Sequence, residues 1–359
     1  MKKILLIKTS SLGDILHVFP VLDYLRQIYP EAQIDWVVEE PFAPLLEAHP
    51  GLTQVLAVNT HKWRKNLFQA DTWKEMAACR LRIRAHCYDL VLDLQGNVKS
   101  ALLLASTRSA LKVGFGYQSV PEWPNLLFTH ARYNPPKGSN IRTDYLFLAR
   151  SAVGNWTLFP SGKVALKITS EQLEKVRGLT EAEPLKGGWK LLVCPGSNWK
   201  NKQLPLPVLT AFLEKIRDRC EGRFLFVWGT PAERLVCEQL QAHFSNHSLV
   251  LEKQPIPVLQ HVMDQMDGVI AMDSLPLHLA GTTSTPSYAL FGASSALKYG
   301  PPEEGHAAFQ GCCPYGQSFE KRCPKLRSCP TGSCIRELDA GSLFDHFYFF
   351  FYTSLDRMS

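Results

Sequence analysis

An α/β protein of two lobes, each a parallel sheet with helices on both faces, is the fold class this chain predicts. Three observations carry that expectation. Short apolar runs alternate with stretches of helical periodicity from end to end, the pattern that builds parallel sheets. A chain of 359 residues is long for one core and suits two. A weaker stretch, 156–188, with Pro160, Gly162, Pro184, Gly187 and Gly188, separates the halves. The boundary is placed near residue 175, giving domains 1–175 and 176–359. Two Rossmann-like lobes facing a central cleft are the expected architecture, with a C-terminal segment that can pack back on the first domain.

The elements follow in order. Strands are expected at Ile4–Ile7, Ile34–Val38, Val55–Val58 and Leu90–Leu94 in the first half. In the second half they are expected at Leu191–Cys194, Phe224–Trp228, Val269–Ala271 and Tyr288–Phe291. Ile15, Phe19, Leu22 and Leu25 recur at three- and four-residue spacing and mark a first helix. Residues 205–220 and 231–244 repeat the pattern, each opening with proline at a first-turn position. The run from Phe344 to Tyr352, FDHFYFFFY, reads as a terminal helix or strand packed on the body, a membrane-touching patch, or an unusual terminus.

Composition narrows the class. With 45% hydrophobic and 20% charged residues the chain is an ordinary globular protein with large cores. A net charge of +6 permits contact with an anionic membrane or acidic ligands without requiring nucleic acid. Ile4–Ile7 is too short for the apolar region of a signal peptide, and no run approaches the roughly 18 apolar residues of a spanning helix. A cytoplasmic location is expected. Of ten cysteines, Cys79, Cys87, Cys194, Cys220 and Cys237 are scattered and read as small core hydrophobes. Cys312, Cys313, Cys323, Cys329 and Cys334 are clustered. A cytosolic chain of this size needs no disulfides. The cluster reads as zinc ligands or as a thiol-rich loop, and a paired C-x2-C spacing is absent.

Chemistry-bearing residues recur where strands end. After the first strand comes Lys8-Thr9-Ser10-Ser11-Leu12-Gly13-Asp14, then His17. Asp14 reads as a helix cap or as a general base, and Lys8, Ser10, Ser11 and His17 can orient ligand oxygens. Lys62-Trp63-Arg64-Lys65 follows the third strand. Residues 62–84 hold seven Lys/Arg and two acids, about +5 locally. This is a solvated face or a site for an acidic ligand, since Arg forks bind carboxylates and phosphates. No nucleic-acid motif accompanies it.

In the second half, Cys194-Pro195-Gly196-Ser197 leads through Lys200 to Lys202 and can cradle a diphosphate. No Walker A and no G-x-G-x-x-G follows any strand. Glu233 follows Trp228-Gly229-Thr230-Pro231 and serves the helix dipole or grips ribose hydroxyls. Asp273, Ser274 and His278 open the turn after another strand; His278 taken singly reads as a packed histidine.

These pieces in this order resemble glycosyltransferase family 9, the bacterial ADP-heptose:lipopolysaccharide heptosyltransferases, and most of all type I. The residues that carry the resemblance are Lys8–Asp14 with His17, Asp35-Trp36-Val37-Val38-Glu39-Glu40, Lys62–Lys65 and Asp93-Leu94-Gln95-Gly96-Asn97-Val98-Lys99-Ser100. In the second half they are Lys202, Trp228–Pro231 with Glu233, and Asp273-Ser274 with His278.

The resemblance implies a GT-B fold, with the acceptor mainly on the first domain and the nucleotide sugar mainly on the second. It implies inverting transfer of L-glycero-D-manno-heptose from ADP-heptose to the Kdo inner core of lipid A, with no metal required. Asp14 would be the general base. Lys202, Glu233, Asp273, Ser274, His278 and Ser197 would meet the donor; Ser10, His17, Lys62, Arg64 and Lys65 the acceptor. The implied partners are an ADP-sugar, a Kdo-lipid A glycolipid and the cytoplasmic face of the inner membrane, touched peripherally, and no nucleic acid. The family usually has glycine or alanine after Asp-Thr/Ser, where this chain has Leu275-Pro276. Other readings are a type II-like or other family 9 transferase, an NAD-type oxidoreductase, against which the missing G-x-G-x-x-G counts, and an inactive nucleotide-sugar-binding protein.

Overall fold

The structure, a computed structural model, describes residues 1–66, 68–159 and 163–355, with side chains as far as Phe351. Pro160 and Gly162 of the weak stretch lie outside the described residues, as does the side chain of Tyr352. The chain forms two compact units, Met1–Lys167 and Ile168–Ser359. The division falls ahead of residue 175, because Ser170–Thr180 is a helix of the second unit. Its cap is reciprocal: Thr169 Oγ1 accepts from Gln172 N at 3.2 Å, and Gln172 Oε1 accepts from Thr169 N at 2.9 Å.

The first unit holds β1 (Lys3–Ile7), β2 (Gln33–Glu39), β3 (Gln54–Val58), β4 (Cys87–Asp93), β5 (Arg108–Phe115) and β6 (Ala131–Tyr133) in the order β3-β2-β1-β4-β5-β6. The second holds β7 (Lys190–Cys194), β8 (Arg223–Phe226), β9 (Ser248–Val250), β10 (Gly268–Met272), β11 (Ser287–Phe291) and β12 (His306–Gln310) in the order β12-β11-β10-β7-β8-β9. Every pairing within the two sheets is parallel, with Leu5 opposite both Asp35 and Val91 and Ile270 opposite both Val193 and Tyr288.

Central strands covered on both faces read as unbroken apolar runs. Ile4–Ile7, Leu90–Leu92, Leu191–Val193 and Val269–Ala271 are fully buried. The strands that sequence patterning did not mark are β5, β6, β9 and β12. Three of them are edges, short and largely part-exposed, and β5 alternates exposed and part-buried residues over its first half.

Two local departures have plain causes. The first helix is two, Leu12–Leu16 and Phe19–Ile28. Pro20 has no N–H to continue a helix past Leu16, but it is tolerated in the first turn of a new one. The β8 strand stops at Phe226, short of Trp228.

The aromatic run lies in a 16-residue helix, Ala340–Leu355. Leu343, Phe347 and Phe351 recur every fourth residue and bury one face in the core of the second unit with Phe212 and Tyr288. The Tyr288 hydroxyl donates to the Leu343 carbonyl at 3.1 Å. Among the described residues no helix is long and apolar enough to cross a membrane.

Candidate active site at two strand-order reversals

Both sheets run outward from a central pair in opposite directions. In such sheets ligands gather beyond the carboxyl ends of the strands where the order reverses. The reversal lies at β1/β4 in the first unit and at β7/β10 in the second. The segments after these four strands carry Ser10 and Asp14, Asp93 to Ser100, Ser197 to Lys202, and Asp273 to His278.

In the first unit the two loops at the reversal are bonded together. Gln95 Oε1 accepts from Thr9 N at 3.1 Å, Thr9 Oγ1 at 3.4 Å and Ser10 N at 3.3 Å. Asp93, fully buried, holds the β4 loop in shape. It accepts from Gln95 N at 2.9 Å, Gly96 N at 3.0 Å, Ser100 Oγ at 2.8 Å and Asn125 Nδ2 at 2.5 Å. Burial pushes its carboxyl above the ordinary value, and those four donors pull the other way without overcoming it. Gly96 is required there: its φ is +71°, and a Cβ would stand 2.6 Å from Pro121 Cδ.

Asp14 is the third residue of Leu12–Leu16. Its Oδ2 accepts from Ser11 N at 3.1 Å and Ser11 Oγ at 2.8 Å, so the capping geometry is present. The carboxylate is part-buried rather than enclosed, and its charge reaches a second group. Burial first, then Asp14 and Asp144, raise the Tyr145 phenol well above its ordinary value. Lys8, 5% exposed, donates from Nζ to that phenol oxygen at 2.8 Å. Tyr145 comes from the helix Ile141–Val153, remote in sequence and unmarked by any motif. His17 caps the end of the short helix and is 2% exposed, so its ring is packed inside the unit.

The basic segment divides. Asn59 caps the helix Thr60–Lys65 by accepting from Lys62 N at 3.1 Å. Trp63 is buried in the core, and its Nε1 donates to Glu75 Oε2 at 3.2 Å. Lys62, Arg64 and Lys65 are all exposed, and Lys62 Nζ pairs with Glu75 Oε1 at 2.6 Å. A surface cavity of about 310 Å³ is bordered by Glu40, Lys62, Trp63, Glu75 and Arg82. Glu39, at the end of β2, accepts from Thr60 N at 3.0 Å and from its hydroxyl, with Lys99 Nζ 3.7 Å away.

The second unit also gathers its loops on a buried carboxylate, Asp273. Lys202, 6% exposed, donates from Nζ to Asp273 Oδ2, and the hydroxyl of Ser294 donates to the same oxygen. His278 Nε2 lies 3.6 Å from Asp273 Oδ1, and Ser197 Oγ donates to the Asp273 carbonyl at 3.2 Å. Burial alone would raise the Asp273 carboxyl. The charges of Lys202 and His278, with the hydrogen bonds from Lys202 and Ser294, outweigh it and hold the group below its ordinary value. Ser294 was not marked by the sequence; it follows β11 and reaches Asp273 only through sheet order. Ser274 is the N-cap residue of Leu275–Ala280, and its hydroxyl donates to the Met272 carbonyl at 3.2 Å. Leu275-Pro276 occupies the first turn, where proline costs no hydrogen bond.

Glu233 stands one loop away, at the start of Pro231–Phe244. Its Oε2 accepts from Gly229 N at 2.8 Å and Thr230 N at 3.0 Å. The structure therefore groups Lys202, Asp273, His278 and Ser197, and sets Glu233 against Gly196. It groups Asp14 with Lys8 and Tyr145, and it leaves Arg64 and Lys65 exposed on the first unit.

Known proteins are similar to this chain in sequence and in fold. The chain is 31% identical over 301 residues to lipopolysaccharide heptosyltransferase 1 of Pseudomonas aeruginosa, covering 82% of this chain and 79% of that one. It is 28% identical to the Escherichia coli K12 protein of that name, covering 81% and 88%. The solved E. coli heptosyltransferase WaaC with ADP superposes with a TM-score of 0.75 at 23% identity over 96% of this chain and 98% of that one, which shows the GT-B fold. The sequence profile described as glycosyltransferase family 9 (heptosyltransferase) matches residues 76–327, a span that holds Lys202, Glu233 and the Asp273–His278 turn. On sequence and on fold, the chain belongs to glycosyltransferase family 9.

Proposed function

We propose that the protein transfers L-glycero-D-manno-heptose from ADP-heptose to the Kdo region of the lipopolysaccharide inner core, by a single inverting displacement with Asp14 as general base. The observation that supports this most strongly is the convergence of Lys202, His278 and Ser197 on Asp273, at the strand reversal of the second unit. Relatives named lipopolysaccharide heptosyltransferase 1, and a solved WaaC described with ADP-2-deoxy-2-fluoro heptose, support the donor and acceptor class.

The acceptor hydroxyl attacks the anomeric carbon as Asp14 takes its proton. The bond from that carbon to the β-phosphate oxygen breaks, ADP leaves, and the configuration inverts. Ser11 fixes the Asp14 carboxylate through Oδ2, so little reorientation is left to the reaction. A positioned base contributes about 10²–10⁴ in rate.

The departing diphosphate develops negative charge, which Lys202 stabilises. Asp273 and Ser294 hold that ammonium in place beforehand. Glu233 receives ribose hydroxyls, and Ser197, Ser274 and His278 complete the donor contacts. Ser10, His17, Lys62, Arg64 and Lys65 belong to the acceptor side, with His17 acting from within by shaping the loop. The exposed cations of 62–84 meet the acidic glycolipid and the anionic cytoplasmic face of the inner membrane, at about 1 kcal/mol per cation near such a surface.

The test is product analysis with ADP-heptose and either Kdo-lipid A or an already heptosylated acceptor. One heptose added to Kdo-lipid A, with inverted anomeric configuration, is the expected result. Transfer only to the heptosylated acceptor, or ADP release without a glycosylated product, overturns the reading.

A further inference from the structure

The five clustered cysteines are not equivalent. Cys313, Cys323, Cys329 and Cys334 line one cavity of about 40 Å³, while Cys312 is exposed and outside it. Three of the four are followed by proline, as Cys313-Pro314, Cys323-Pro324 and Cys329-Pro330, which stiffens the chain beside each sulfur. The loop folds so that Gly332 N donates to Cys329 Sγ at 3.4 Å, with the Thr331 hydroxyl 3.7 Å from the same sulfur. The backbone donor from Gly332 fixes the turn that starts at Cys329.

The surroundings show what the loop does. Asn201, on the cavity wall, donates from Nδ2 to the Leu326 carbonyl at 2.9 Å and to the Cys329 carbonyl at 3.0 Å. Ala293, also on the wall, accepts from Cys323 N at 2.9 Å. The next residues along the chain, Lys202 and Ser294, are the two that grip Asp273.

We propose that Cys313, Cys323, Cys329 and Cys334 are the ligands of one divalent transition-metal ion, zinc or ferrous iron, in a closed structural site that braces the Lys202–Asp273–Ser294 cluster from behind. Four thiolates select a tetrahedral zinc or iron ion. A cavity of about 40 Å³ takes a single ion rather than a larger cluster. Among the described residues no three candidate ligands already stand at ligand spacing around one point. The ion would therefore draw a loose ring of thiols together, releasing their protons as it binds. The site lies apart from the reacting atoms and takes no part in the displacement. The bracing half of the proposal rests on the reading of the second unit as the nucleotide-sugar unit.

The test is metal analysis of the full chain, purified under reductant from cells supplied with both zinc and iron. About one ion per chain is expected, and the element found names it. Cys323→Ser/Cys329→Ser should lose it, while Cys312→Ser and Cys220→Ser keep it. Cobalt exchanged into the wild-type protein should give thiolate charge-transfer and tetrahedral d–d absorption, a readout that does not depend on how a variant folds. Folded wild-type protein without stoichiometric metal, the four thiols recovered as two disulfides, or full metal content in the double variant overturns the site. Chelation should weaken ADP binding several-fold. Unchanged ADP affinity after the metal is gone, in protein that binds ADP before chelation, overturns the bracing role.

Discussion

Gly196 and Glu233 lie so close that a methyl group on the glycine would stand 2.2 Å from Glu233 Oε1. The loop after β7 and the helix after β8 meet through this contact, and only a residue without a Cβ permits it. Gly196→Ala is therefore expected to push the Glu233 side chain off Gly229 and Thr230 and to weaken ADP binding about tenfold or more. The fold should lose about 1–3 kcal/mol, the usual cost of overpacking. Titration calorimetry with ADP, beside a urea melt, separates the two effects. ADP affinity equal to that of the unaltered protein would count against Glu233 as a donor contact.

Lys202→Met leaves the Asp273 carboxylate buried without its cation. Removing one member of a buried pair costs about 3–5 kcal/mol, measured by urea unfolding at pH 7. The pH dependence follows from the sign of the shift. Asp273 lies below its ordinary 3.8 in the folded protein, so its contribution is full above about pH 3.8 and is lost as the pH falls through the lower folded value. Asp273→Asn should flatten that acid limb.

Asp23 is the opposite case. Burial on the helix Phe19–Ile28 raises its carboxyl from 3.8 to about 7. Its contribution is present below pH 3.8 and is lost as the pH rises through 7. Asp23→Asn is expected to stabilise the first unit by roughly 4 kcal/mol at pH 8 and to have no effect near pH 3. Thermal melts across that range provide the check.

The basic segment should divide in function as it does in structure. All three cations are exposed, but Lys62 is held by Glu75 at 2.6 Å. Arg64→Ala/Lys65→Ala should raise the acceptor KM more than Lys62→Ala does, with the ADP-heptose KM unchanged. Added salt should raise the acceptor KM more than the donor KM, since exposed charges are screened within about 8 Å at physiological ionic strength. Equal salt effects on both would remove the segment from acceptor binding.

The two units and their central strands were legible because doubly covered strands carry unbroken apolar runs, as in Ile4–Ile7 and Leu191–Cys194. The edges β6, β9 and β12 were not, since short half-exposed strands lack that signal. Asp14, Lys202, Glu233 and Asp273 stood out as polar residues just past strands. Tyr145 and Ser294 did not, because what brings them to Asp14 and Asp273 is packing and strand order rather than sequence spacing. The four-thiol cavity was hidden for the same reason: spacings of nine, five and four intervening residues, counted along the chain, follow no paired C-x2-C rule. Pro20 shows the reverse, a visible residue whose splitting of the first helix the apolar periodicity masked.

The central claim is that Asp14 takes the acceptor proton. Asp14→Ala and Asp14→Asn should lower kcat by about 10²–10⁴ while ADP binds as it does to the unaltered protein. Loss of the Ser11 cap should cost only about 1 kcal/mol of stability. Single-turnover transfer from ADP-heptose to Kdo-lipid A, with ADP affinity and melting temperature measured on the same preparations, tests this directly. A large loss of turnover in folded, ADP-binding protein is the expected result. An Asp14→Ala protein with full turnover, where Lys202→Ala has none, would contradict it.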